Sequence, residues 1–212
     1  MTTTILSDIF ETKLGSIQFS INCENNHEIK KLNDLKIETL NHKIVVEVIN
    51  LNNLKLPNHM KIDSSIGWRI FIKKTSNNRE NLSANCKLLN PSNDTEFSPD
   101  CGENLDAIVI EKQTGILHIG TEDGEIMRSR AEKDNWFPVR LKDFVSIENP
   151  ITEFVDFGFT SQIPNLEITE KLYLHFLVAT NYQKSKENEI STWFAVERSK
   201  DELDKDKIIG TN

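Results

Sequence analysis

A chain of 212 residues with 37% apolar side chains, among them 11 Phe and 3 Trp, has enough hydrophobic material for a folded core, which at this length buries roughly 70% of the unfolded surface and excludes a wholly disordered chain. No apolar run approaches the roughly 20 residues of a membrane-spanning helix, and the start MTTTILSDIFETK has neither a basic leader nor a long apolar segment, so a cytoplasmic protein without a membrane partner is expected. Of the net charge of −8, residues 105–212 hold 13 basic and 20 acidic side chains against 12 and 13 in residues 1–104; this surplus disfavours nucleic acid, whose phosphates need clustered Lys and Arg, and suits a basic protein partner.

In chain order, alternation outweighs helical spacing. Residues 4–13 read as one or two helical turns, and residues 15–21 (GSIQFSI) as a half-buried strand with Ile17, Phe19 and Ile21 on one face. Residues 28–40 offer Ile29, Leu32, Leu35 and Leu40 at helical spacing, diluted by Asn33 and Asp34. Strands are expected at 43–49 and 67–72. The Asn- and Ser-rich stretch 76–104, with Pro91 and Pro99, then reads as a long loop or linker. Further strands are expected at 105–111, 115–121 and 125–130, the last two joined by a hairpin turn at Asp123-Gly124. Alternation continues at 144–147, 153–159, 168–179 and 190–198, with the polar stretch 183–189 closing a long hairpin between 173–182 and 190–198. Residues 199–207 read as a short surface helix or a fraying tail.

Ten short strand candidates without regular helical inserts predict a mainly β fold: an antiparallel β-sandwich, or strongly twisted sheets, with one or two short helices and a long Asn/Ser-rich loop. The expected organisation is a single β-rich domain over 1–212, with subdomains 1–85 and 105–212 as the alternative.

Motifs that would name a reaction are missing. His27, His42, His59, His118 and His175 form no HxH, HxxxH or HExxH spacing, so neither metal nor cofactor is expected. Cys23, Cys86 and Cys101 contain no CxxC and read as ordinary thiols, with Cys86 and Cys101 able to pair in an exported protein. Asp156-Phe157-Gly158 lacks the glycine-rich loop, lysine and catalytic loop that precede this tripeptide in kinases, and Walker, dinucleotide and GxSxG patterns are missing too.

Three functions are weighed. The leading one is an acidic protein-interaction module, an inhibitor or immunity protein that masks a basic partner. Its contact residues would be Glu122, Asp123 and Glu125 at the hairpin tip, Trp136 and Phe137 in a loop, and Trp193 on an exposed strand face. The second is an assembly module whose strand edges pair into a homo-oligomer. The third is a small hydrolase or isomerase, with His118 and His175 brought together beside Glu122 or Tyr173 on one sheet face.

Overall fold

A computed structural model describes residues 2–24, 30–33, 35–53, 56–57, 59–102, 105–146 and 149–209. Two antiparallel sheets pack face to face as a β-sandwich. The first follows the spatial order β1 (Thr2–Thr12), β2 (Gly15–Glu24), β7 (Asn81–Leu88), β12 (Gly158–Ile163), β11 (Thr152–Val155). The second has eight strands: β3 (Lys30–Asn33), β4 (Lys36–Glu38), β5 (His42–Ile49), β6 (Ser64–Lys74), β13 (Lys171–Asn181), β10 (Gly115–Glu122), β9 (Leu105–Lys112) and β8 (Glu96–Pro99). Both sheets take strands from either side of residue 90. Among the described residues no helix is long and apolar enough to cross a membrane.

The core lies between the sheets and follows from period-two alternation. Ile17, Phe19 and Ile21 of β2 and Leu82, Ala84, Cys86 and Leu88 of β7 face Trp68, Ile70 and Ile72 of β6 and Leu172, Leu174, Phe176 and Val178 of β13. Phe19 stacks on Trp68 at 5.3 Å between centroids and meets Phe176 at 6.3 Å, joining the two layers. The opposite face of the larger sheet is also covered. There α2 (Lys186–Val196) and α3 (Lys200–Ile209) lie over a floor of Ala107, Leu105, Leu177 and Ala179. A Cβ on Gly120 would stand 2.8 Å from Val196, so glycine is what lets α2 approach.

Several expectations fail for identifiable reasons. Residues 4–12 belong to the edge strand β1, paired with β2 through a turn that begins at Lys13 and after which Gly15 adopts φ +132°. Within 28–40 the described residues contain β3 and β4 rather than a helix, while residues 25–29 and 34 lie outside the described residues. Part of the supposed loop 76–104 forms the strands β7 and β8; the inward side chains of β7 include small Ala84 and Cys86, which give a weak hydrophobic signal between Asn and Ser. Residues 125–130 are not a returning strand but α1 (Gly124–Ser129), because the Asp123 carboxylate accepts the Ile126 N–H at 2.7 Å and caps a helix instead of closing a hairpin. The 190–198 strand of the long hairpin is likewise α2, capped by Ser185, whose hydroxyl accepts the Asn188 N–H at 3.2 Å. Residues 153–159 are split between β11 and β12 by a turn in which Phe157 takes φ +61°, and Ser146 forms only a single bridge to Asn149. Ser199 and Glu202 form a capping box that starts α3, with the Ser199 N–H donating to the Glu202 carboxylate at 2.7 Å.

Candidate functional site

On the helix-covered face of the larger sheet, alternation places Glu47 of β5, Arg69 and Phe71 of β6, Tyr173 and His175 of β13, and His118 and Glu122 of β10 on one side. His118 and His175 therefore share a face, as expected, but do not meet. His118 is paired with Ala179, four residues along β13 from His175, which is roughly 13 Å of strand. Each histidine belongs to its own polar knot.

The larger knot surrounds Tyr173. Arg69 Nε donates to the Tyr173 hydroxyl at 3.3 Å, and that hydroxyl lies 3.1 Å from His175 Nδ1. Burial, reinforced by Arg130 and Arg69, pushes His175 down to about 3, so its imidazole is neutral. Burial also raises the Tyr173 phenol, which keeps its proton. The hydroxyl thus donates to Nδ1 and leaves the histidine proton on Nε2. Arg69 further pairs with Glu47 at 3.2 Å and with Asp204 of α3. Arg130, which follows α1, reaches Glu122 at 2.9 Å and the Tyr173 carbonyl at 3.0 Å. Glu122 also accepts the Lys200 N–H at the start of α3 at 2.6 Å. Burial raises the Glu122 carboxyl, against the opposing pull of Arg130 and of that N–H. Lys200 lies 2.8 Å from both Asp134 and Asp204; burial alone would lower its ammonium, but these two carboxylates outweigh it and raise it.

The smaller knot joins three elements around His118. Its Nδ1 lies 2.9 Å from the Thr192 hydroxyl of α2 and its Nε2 lies 2.8 Å from Asp100, which follows β8. The order carboxylate, imidazole, hydroxyl resembles a nucleophilic triad. Here, however, Thr192 and His118 are wholly buried, and the hydroxyl also lies against the Asn188 and Glu189 carbonyls of its own helix. This contact pins α2 to β10. A third buried knot ties the sheets together: Glu80, just before β7, accepts from His42 Nδ1 at 2.6 Å, from Thr39 at 2.6 Å and from the Cys23 thiol at 3.4 Å. Burial alone would raise Glu80, but the His42 and Thr39 hydrogen bonds outweigh it and hold the carboxyl below its usual range. The Cys23 thiol is pushed up to about 12 by burial and by Glu80, which removes the thiolate a nucleophile requires. Cys86 is buried and Cys101 exposed, and the two are not bridged. Among the described residues no group of three or more His, Cys, Asp and Glu is arranged to hold a metal ion.

The contact residues expected from sequence are dispersed. Glu122 is 2% exposed and serves the Tyr173 knot, so it is no surface carboxylate. Asp123 is occupied as a helix cap, and Glu125 is exposed in the first turn of α1, where its charge suits the helix dipole. Trp193 rides half-buried on α2 against Gly102, not on a strand face. Phe137 is buried and anchors its loop. Trp136 is half-buried, edge-on to Phe71 at 5.1 Å, with Lys171 Nζ 5.3 Å above its ring. Phe137 and Lys171 border an open cleft of about 680 Å³, lined by residues that include Asn135, Pro138, Val139, Arg140, Thr169 and Glu170. Arg140 bridges the cleft to Glu170, 2.9 Å from Nε and 2.8 Å from Nη2. Thr169 has φ +74°, a backbone conformation that costs a β-branched residue energy and recurs at binding surfaces.

Arg69, Arg130, Lys200, Asp134 and Asp204 were missed by sequence reasoning. Arg69 alone left a signal, as a lone cation inside the apolar run GWRIFI; the others come from loops and a helix far away in sequence. Comparison with protein-family models, with curated proteins and with solved structures finds no match to this chain.

The neutral His175 makes stability depend on pH. Its folded pKa lies below the ordinary 6.5, so the unfolded chain binds the extra proton. Stability is therefore complete above about pH 6.5 and falls by up to about 1.4 kcal/mol per pH unit toward pH 3. Glu80, also depressed, adds a loss in the same direction as pH falls through the carboxylate range. Urea midpoints measured from pH 7.5 to 4.5 should fall steadily in the wild type and more shallowly in His175→Gln; parallel slopes would rule out His175 as the cause.

Proposed function

We propose that the chain is an acidic protein-interaction module that binds a basic protein partner over the cleft between residues 135–140 and 167–171. The observation that carries this reading is apolar exposure: Val139, which lines the cleft, is 64% exposed, Ile168, between the lining residues Glu167 and Thr169, is 48%, and Phe144, four residues along the chain from Arg140, is 63%, far more than a core-packing role needs. Loops held by a rigid scaffold are the usual carriers of recognition. Phe137 anchors one wall in the core, and the Trp136 carbonyl accepts the Tyr173 N–H at 3.0 Å, so the wall is preset by β13. Asp143 and Glu167, the latter paired with Arg140 at 3.3 Å, are exposed next in sequence to Phe144 and Ile168, where a basic side chain can meet their carboxylates. The net charge of −8 steers such a partner from a distance. Where the partner's basic patch is its own working surface, binding inhibits it, which is the inhibitor or immunity form of this reading.

The test combines capture with surface mapping. Tagged wild type and Val139→Asp/Phe144→Asp, both introduced into source-cell extract, should differ in one stoichiometric basic partner that is retained at low salt and lost at high salt. Hydrogen exchange in the purified complex should slow at residues 135–144 and 165–171. Equal capture by both proteins, or protection confined to another surface, would refute the assignment.

A further inference from the structure

The Tyr173 knot holds more hydrogen-bond donors than its own carboxylates use. Three cations surround the Tyr173 ring: the guanidinium carbons of Arg130 and Arg69 lie 4.9 and 5.6 Å from its centroid and Lys200 Nζ lies 5.7 Å away. Arg69, Arg130 and His175 are almost wholly buried. Arg130 Nε, Arg130 Nη1 and His175 Nε2 find no hydrogen-bond partner among the described residues. Both arginine nitrogens can only donate, and Nε2 carries the histidine proton because Nδ1 faces the tyrosine hydroxyl. The nearby carboxylate oxygens Glu122 Oε2 and Asp134 Oδ2 are held in ion pairs by Arg130 and Lys200. An unmet buried donor costs its desolvation energy, so a cluster of three calls for an acceptor.

One carboxylate enters this knot from the solvent side. Asp204 of α3 is 43% exposed at its side chain, yet it contacts Arg69 and lies 2.8 Å from Lys200. We propose that the knot is a binding site for a carboxylate-bearing ligand, whose place at Arg69 and Lys200 is held in this structure by Asp204 of the chain's own α3 helix. Charge favours a monoanion. Without Asp204, the cations Arg69, Arg130 and Lys200 face the carboxylates Glu47, Glu122 and Asp134, so one carboxylate replaces another without adding to the charge already buried. The Tyr173 ring that Arg69 and Lys200 flank is flanked by Arg130 too, whose Nε and Nη1 Asp204 leaves unused. The site is independent of the cleft at residues 135–140, since it uses the helix-covered face and an anionic rather than a basic ligand.

The full-length variant Asp204→Asn keeps the size of the side chain and removes its charge. Acetate is the probe, against sodium chloride at matched ionic strength. Acetate is expected to raise the melting temperature of D204N saturably, with an apparent dissociation constant at least about tenfold below that of the wild type, where the internal carboxylate competes. In the wild type, acetate at higher concentration should shift the Arg69 Nε–H resonance in the same direction as in D204N, a readout that does not depend on the variant's folding. Asp134→Asn serves as the control, because it takes one carboxylate from Lys200 while Asp204 stays on both Arg69 and Lys200. An acetate response in D204N no larger than that of chloride, an equal response in D134N, or saturation by inorganic phosphate but not by acetate would each overturn the proposal.

Discussion

Replacing Glu122 by alanine is expected to destabilise the protein by about 3–5 kcal/mol, the typical cost of leaving a buried ion unpaired. Glu122 lies on β10, is 2% exposed, and is bound on two sides. On one side Arg130 stands 2.9 Å away, almost wholly buried and with two further nitrogens already unpartnered. On the other, the first N–H of α3 donates to it at 2.6 Å, and the positive end of that helix favours a carboxylate. Alanine removes the anion but leaves the guanidinium and the helix end in a place that water scarcely reaches. Glu122→Gln should cost less than alanine, since the amide oxygen can still accept the Lys200 N–H. The joint replacement Glu122→Leu with Arg130→Met should recover much of the alanine loss, because a buried pair exchanged for apolar side chains is often close to neutral. Urea denaturation of the four proteins measures all of this. A Glu122→Ala loss below about 1 kcal/mol would mean that the pair is hydrated and the knot is open to solvent.

Trp68→Ala is the second large effect, with an expected loss of about 3–5 kcal/mol from the cavity it opens. The indole is wholly buried between the sheets, stacked on Phe19 at 5.3 Å with an interplanar angle of 17°. Its N–H donates to Asp8 of β1 at 2.8 Å, so one side chain joins β6 to two strands of the other sheet. Trp68→Phe keeps most of the stacking and loses the hydrogen bond to a carboxylate, worth about 1.5–3 kcal/mol. Denaturation midpoints should therefore fall in the order wild type, Trp68→Phe, Trp68→Ala, with the near-ultraviolet dichroism of the core reduced in both variants. Equal midpoints for the wild type and Trp68→Phe would show that the indole N–H contributes nothing and that Asp8 is satisfied by water.

The candidate sites divide by how their residues were recruited. Trp136 and Phe137 form a contiguous aromatic pair after Asp134-Asn135 and before Pro138, a local signal of a loop held against a sheet, and of the two Phe137 lines the cleft. The Tyr173 knot has no such signal. Its members come from β5, β6, β10, α1's end, the loop at Asp134, β13 and α3, and apart from Arg69 in its apolar run each alone reads as an ordinary polar or charged residue.

The sequence by itself determined the β-sandwich and the faces of its strongest strands. Alternation is a local property, and in β2, β6 and β13 the apolar set is large enough that a one-residue slip would expose it. The phase of β10, with His118 on one side and Leu117 and Ile119 on the other, follows from the same rule. Only the tertiary structure decided what covers the second face of the larger sheet. Residues 190–198 satisfy both a strand and a helix pattern, and the choice falls to the small floor of Ala107, Gly120 and Ala179, which admits a helix with Ala195 and Val196 pressed against it. Asp123-Gly124 is equally two-valued: the same carboxylate that suits a turn caps α1, because Met127 at that helix's centre has a core to enter. Burial of Glu122, Arg130 and His175 could not be read locally, since the partners that make a buried charge tolerable arrive from elements as far away as residue 200.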